Sequence, residues 1–242
     1  MIAGVSGIIL NAMAILLGAI AGLTLRKQIS PASQAAVKLL LGAFTVYAGL
    51  SLTWYGVSGT VFQILKQLLI VLGSLMLGNI TGKLLGLQKA VNRLGHFAKE
   101  KFAGASSGAA ARFGDGFLTC TILFCAAPLA VLGPVSEALA QSWKPLAIKA
   151  VMDGLATMAF VTCFGWGVVL SVVPVVALQG TIWLVVRAAQ PHLGDALTNS
   201  VAATAGMLVF CVSLIVLEIK KVELADYLPS LAFAPLLTWL FS

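Results

Sequence analysis

Eight apolar stretches, each about long enough to cross a bilayer, follow one another along this chain and leave little room for any other fold. A helix needs about 20 mostly apolar residues to traverse the hydrocarbon core. On that ruler, spans are predicted near residues 2–25, 35–53, 62–86, 114–139, 146–168, 171–189, 197–217 and 226–241. The segment between Lys149 and Arg187 holds no basic residue and is too long for one ordinary helix, so it is read as two that turn near Ser171 to Pro174. Without that turn the count is seven. The expected fold is an all-α, polytopic membrane protein with seven or eight transmembrane helices. The first of them, apolar from the start and lacking a basic leader region, is read as a retained span.

Composition supports lipid as the solvent. Of 242 residues, 60% are hydrophobic and 10% charged, and the mean hydropathy is +1.03. A soluble fold of this size would have to leave too much apolar surface in water. The net charge of +7 is what basic loops beside apolar spans produce, so nucleic acid is not an expected partner. Cys120, Cys125, Cys163 and Cys211 all fall inside apolar runs, where they behave as small hydrophobes, and no disulfide is expected.

Basic residues are unevenly shared between the loops. Arg26, Lys27, Lys38, Lys83, Lys89, Arg93, Lys99, Lys101, Arg112, Lys220 and Lys221 fall on one side of an eight-span chain, and Lys66, Lys144, Lys149 and Arg187 on the other. The positive-inside bias then places both termini outside the cytoplasm, in a bacterial inner membrane. The longest connection begins with Val91, Leu94, Ala98 and Phe102 on one helical face and Lys89, Arg93, Lys99 and Lys101 around the rest. That pattern suits a basic amphipathic helix lying on anionic headgroups, and equally a solvated loop helix. With the small-residue run Gly104 to Ala111 it divides the chain into 1–87, 88–113 and 114–242.

Two internal similarities stand out. At an offset of 60, Gly18 and Gly22 align with Gly78 and Gly82, each pair in a G-x-x-x-G frame that permits close backbone approach. A symmetric homo-oligomer would use such seams, and intrachain packing explains them equally. At an offset of 38, Asp115-Gly-Phe-Leu-Thr119 aligns with Asp153-Gly-Leu-Ala-Thr157 in spans of opposite direction. This is the signature of an inverted repeat, an arrangement many secondary transporters use.

Few polar groups lie within the spans, so each needs a reason. Asp153 falls too deep for a solvated cap, and a cation, a proton or a basic partner would compensate it. Asp115 sits where the small-residue run enters the fourth span, and helix capping is its first reading. Thr119 and Thr157 accompany the two aspartates. Gln179 and the helix-buried Asn11 and Asn79 either line a polar path or bond between helices. Pro128, Pro134 and Pro174 are candidate kinks, because each proline frees a carbonyl that needs a protein neighbour, a water-lined cavity or an ion. Glu137 and Glu218 sit at expected span ends and are read as structural. The Cys and Met residues near Asp153 lack a Cys-x-x-Cys pair or a nearby His, so neither a metal nor a cofactor is expected.

The strings D-G-F-L-T…L-F-C-A-A-P-L-A-V-L-G at 115–133, L-A-I-K-A-V-M-D-G at 146–154 and V-V-P-V-V-A-L-Q-G at 172–180 carry a resemblance, continued by L-E-I-K-K-V-E-L-A-D-Y-L-P-S-L at 217–231. The chain resembles a bacterial membrane family known as domain of unknown function 554, the YdfK/YqgA-like proteins. That resemblance implies a multi-pass inner-membrane protein and no assigned substrate. It departs from the family pattern at Pro128 and at Ser136-Glu137.

Three functions follow from these residues. One is a small-solute or ion transporter or channel, cation- or proton-linked, with its path along the fourth to sixth spans and Asp153 at its centre. The alternative is a non-transporting scaffold or lipid-interacting protein. A remote third is an intramembrane aspartyl protease, which the missing Gly-x-Gly-Asp frame and the opposed depths of Asp115 and Asp153 argue against, so no enzyme is expected.

Overall fold

The computed structural model describes residues 5–25, 30–103 and 109–241, and these are all-helical without strands. In chain order the helices are α1 (Ser6–Leu25), α2 (Pro31–Tyr55), α3 (Val61–Leu85), α4 (Leu87–Ala103), α5 (Ala109–Ala126), α6 (Leu129–Ala140), α7 (Lys144–Phe164), α8 (Val172–Ala189), α9 (Asp195–Val216) and α10 (Ser230–Leu240). Tight 3-10 turns at Gly165–Ser171, Gln190–His192 and Leu224–Tyr227 join the later helices. Outward-facing Leu17, Leu40, Phe62, Leu69 and Leu84 are exposed, as expected of helices solvated by lipid.

Glycine positions fix how the helices pair. A Cβ on Gly18 would collide with the Gly154 carbonyl oxygen, and one on Gly22 with that of Met158, so α1 and α7 run parallel in backbone contact. Gly49 meets Phe210 and Gly56 meets Asn199, which makes α2 and α9 antiparallel. Gly78 meets Ser230 and Gly82 meets Asp226, so α3 is antiparallel to α10. Both G-x-x-x-G frames are therefore filled within the chain and no longer argue for a homo-oligomer. These three pairings also join helices of the segment 1–87 to helices of the segment 114–242. Of the linker, residues 104–108 lie outside the described residues, and α5 already begins at Ala109.

Among the described residues five helical runs meet the length and hydropathy of a span, or six with the bent pair α5–α6 taken as one. One of these runs, Lys144–His192, has 49 residues, about 73 Å as a straight helix against a core of about 30 Å. It turns back at Gly165, whose φ of +71° suits glycine. Gly116 beside Phe164, and Lys149 beside Phe124, show α7 descending antiparallel to α5. Ile182 and Val186 of α8 then pack on Val135 and Leu139 of α6, returning the chain upward. The difference from the expected seven or eight lies in this reversal and in the shorter apolar run Leu224–Leu240. We call the face where α1 and α7 begin upper, and the face where they end lower.

Five buried hydroxyls are satisfied along their own helices. Thr45, Ser74, Ser136, Thr157 and Thr204 each donate to the carbonyl four residues earlier, which removes the cost of placing them in an apolar interior. The predicted amphipathic helix is present as α4 and rests against α5 and the Leu224–Tyr227 turn. It carries no acidic residue in its first turn. Instead Asp226 accepts the Gln88 N–H at 2.7 Å while the Gln88 side chain accepts the Ala225 N–H at 3.0 Å, a reciprocal cap supplied from the far end of the chain.

Candidate polar site at the broken helix

The span expected at 114–139 breaks between α5 and α6 with a 53° bend. Pro128 stands at the break, and its missing N–H leaves the carbonyl four residues earlier, that of Phe124, without a helical partner. Lys149 supplies that partner: its Nζ donates to the Phe124 carbonyl at 2.8 Å and to Asp153 Oδ2 at 2.6 Å. Both side chains are sealed from solvent, at 1% and 7% exposure. The ammonium also lies 5.8 Å from the centre of the Phe124 ring, within cation–π reach. One turn of α7 thus positions Lys149 and Asp153 on the face that meets the broken helix, because residues four apart share a face.

This geometry corrects two sequence readings. Lys149 is no loop charge on the outer side, since it is buried in the core, and it is the basic partner that Asp153 requires. Asp115 is no helix cap, since α5 begins six residues earlier and leaves it about two turns along the helix. Asp115 also precedes Cys120 and Cys125, two α5 residues within reach of the Asp153 charge, by five and ten residues, about 7.5 and 15 Å along the axis.

Other predicted residues gather around the pair. Asn11, Thr119, Thr157 and Gln179 are fully buried. The Asn11 amide lies beside the Asp153 carboxylate but outside hydrogen-bond geometry. Asn11 is one turn above Ile15 and Gln179 one turn above Val175, and Ile15 and Val175 belong to one apolar cluster with Cys120, Phe124, Phe164 and Val168. Asn11 and Gln179 therefore lie directly above an apolar plug, with Thr119 and Thr157 at the level of the plug itself. Below the plug a cavity of about 620 Å³ opens at the lower face, lined by Gly22, Arg112, Phe113, Phe164 and Trp166 among others. Asn79 stays apart, on α3, which packs against α9 and α10. Pro134 lies within α6. Pro174 falls in the first turn of α8, where no intrahelical donor is needed, so it opens the helix and does not kink it.

Glu137 also has a role that the sequence only partly indicated. It is buried at 2% exposure, and its Oε1 accepts the Gly7 N–H at 2.6 Å and the Ser6 hydroxyl at 3.1 Å. A carboxylate from α6 thus neutralises the positive end of α1, which has no acid of its own in its first turn. Among the described residues no group of three or more His, Cys, Asp or Glu side chains could hold a metal.

Comparison with known proteins gives a consistent picture. A family model described as "Protein of unknown function (DUF554)" matches residues 6–239. The chain is 26% identical over 230 residues to "Uncharacterized membrane protein YdfK" of Bacillus subtilis (strain 168), covering 95% of this chain and 93% of that one. It is 24% identical over 231 residues to "Uncharacterized protein YqgA" of Escherichia coli (strain K12), covering 95% and 94%. No solved structure matches.

Proposed function

This chain belongs to the DUF554 family, and on that premise we propose that it is a small-solute or ion transporter or channel whose path runs along α5, α6, α7 and α8. One observation carries the reading: a lysine–aspartate pair sealed at mid-helix against a carbonyl that the broken helix α5–α6 has released. Intramembrane charges on discontinuous helices are costly and mark cargo or ion paths. The opposed directions of α5 and α7, which bear the Asp115 and Asp153 motifs, support a two-sided arrangement about this point.

Full-length protein in liposomes, loaded with a panel of ions and small solutes, tests the reading against Asp153→Asn. Flux in the wild type that falls to the level of empty vesicles in the variant supports it. Equal flux in wild type, variant and empty vesicles ends it. The second reading, a non-transporting membrane scaffold, draws on the completeness of the same cluster, since Lys149 already satisfies both Asp153 and the Phe124 carbonyl; that equal-flux result would favour it. No enzymatic step enters either proposal.

The bacterial inner membrane and an extracytoplasmic upper face are part of the proposal. With Lys149 withdrawn into the core, only Lys66, Lys144 and Arg187 are counted on the upper side, which strengthens the charge asymmetry. A reporter active only outside the cytoplasm, fused after Ser242, checks it: activity is expected, and silence there reverses the orientation.

A further inference from the structure

Resting on the transport reading, we propose that the cargo is a small solute without net charge, carrying both hydrogen-bond donors and acceptors, and that Asn11, Gln179 and Thr119 are its recognition groups. The argument begins with what remains unsatisfied. Both polar atoms of Gln179 and the Thr119 hydroxyl are buried without a protein hydrogen-bond partner, and the Asn11 amide meets only the Asp153 carboxylate beside it, although each of the three residues is 0% exposed. Buried polar groups are normally bonded, and leaving one bare costs stability. The chain holds three on α1, α5 and α8: Asn11 and Gln179 one turn above the apolar plug, and Thr119 beside Cys120 of that plug.

Their chemistry selects the class of guest. An amide offers two donors and an acceptor oxygen, and a hydroxyl offers one donor and accepts. None of these brings charge. The charges nearby are already held: Asp153 has an ammonium at 2.6 Å and Glu137, a turn above Asn11, is taken up by the start of α1, so a metal cation entering the layer would displace Lys149 or sit beside it, and a lone anion would face the carboxylates. Either leaves an uncompensated charge in a dry interior, which is heavily penalised. A neutral amide, a polyol or an internally balanced zwitterion meets the amides and the hydroxyl with no such penalty. Entry from the lower face is through the cavity of about 620 Å³, with Phe164 and Val168 of the apolar plug between it and the polar layer.

The test uses full-length protein in proteoliposomes, with urea, glycerol and glycine as probes in stopped-flow osmotic swelling and a voltage-sensitive dye for ion leak. At least one probe is expected to enter faster than into empty vesicles without a voltage signal. Gln179→Leu and Asn11→Leu are each expected to slow that entry about tenfold, the size of one lost hydrogen bond in the bound state. A structural role for Gln179 would make Gln179→Leu less stable, whereas a group kept bare for a guest makes the variant as stable as wild type or more so; its thermal midpoint separates the two. Asp153-dependent movement of sodium, potassium or protons with no entry of the three probes overturns the cargo class and leaves transport standing. No movement of anything above empty vesicles overturns both. Swelling that both variants leave unchanged, or water movement alone, removes Asn11 and Gln179 from recognition.

Discussion

Two lysine–acid pairs close at the same 2.6 Å, Lys149–Asp153 and Lys38–Glu218, and share little else. The first lies within one turn of α7 with side chains 1% and 7% exposed; the second bridges α2 to the end of α9 with side chains 48% and 73% exposed. In water an ammonium and a carboxylate gain little by meeting, because each gives up hydration and side-chain freedom. In an apolar interior neither can stand alone, so each holds the other in place. Equal distance therefore carries opposite meaning. The buried pair is also connected, through the Phe124 carbonyl, to the break in α5–α6, while the exposed pair is bonded only across the lower face.

The sharpest way to break the comparison is to remove one partner of the buried pair. Lys149→Met leaves Asp153 without its counter-charge and the Phe124 carbonyl without a donor, and about 3–5 kcal/mol of stability is expected to go. A large drop in thermal midpoint in detergent checks it. Lys149→Met with Asp153→Leu removes both charges at once and is expected to recover most of that loss. A double variant as unstable as the single would show that the pair is not the source of the cost.

The sequence made one member of this pair visible and hid the other. Asp153 is conspicuous because an acid in an apolar run has no solvent. Lys149 stands four residues earlier, the spacing of helical neighbours, but close to the expected start of a span it reads as a loop cation. Pro128 likewise announced a freed carbonyl, and counting back four residues gives Phe124; which side chain would answer it depended on how α7 lies against α5. The all-helical membrane class, the amphipathic α4 and a reversal between Lys149 and Arg187 were legible from local pattern, though the reversal stands at Gly165 and not near Ser171 to Pro174. The caps supplied by Glu137 and Asp226 were not, because each acid serves a helix about 130 residues away in sequence, and no local signal encodes such a meeting. The lack of a first-turn acid in α1 and α4 was no guide, since among the described α-helices only α9 has one.

Glu137 is the intermediate case, a buried acid paired with a helix end. Glu137→Gln keeps an acceptor for the Gly7 N–H but removes the charge that faces the α1 dipole, and a loss of about 1–2 kcal/mol is expected. Asp226→Asn at the start of α4 is expected to cost about 1 kcal/mol, as ordinary caps do. Losses as large as that of Lys149→Met would mean that these acids act as buried charges and not as caps, which midpoints measured side by side would reveal.

A smaller effect isolates the Phe124 carbonyl. In the Lys149→Met, Asp153→Leu background, Pro128→Ala supplies the missing N–H and is expected to restore about 1 kcal/mol. In the wild-type background the new N–H competes with Lys149, so the same substitution should gain less. Equal gains in both backgrounds would show that Lys149 does not serve the carbonyl.

The smallest effect belongs to the exposed pair. The Lys38 ammonium, bonded to Glu218, holds that carboxyl below the usual glutamate range. A depressed carboxyl contributes stability above its unfolded value and loses it as pH falls through the folded one, so any contribution should vanish only in acid below the ordinary glutamate range. Because Glu218 is fully solvated, salt screens the attraction and little remains to lose. Lys38→Met is expected to leave the thermal midpoint at neutral pH unchanged, with any difference from wild type shrinking further in high salt. A clear fall that persists in high salt would show that the lower-face pair is shielded as the mid-helix pair is, and the contrast between the two would fail.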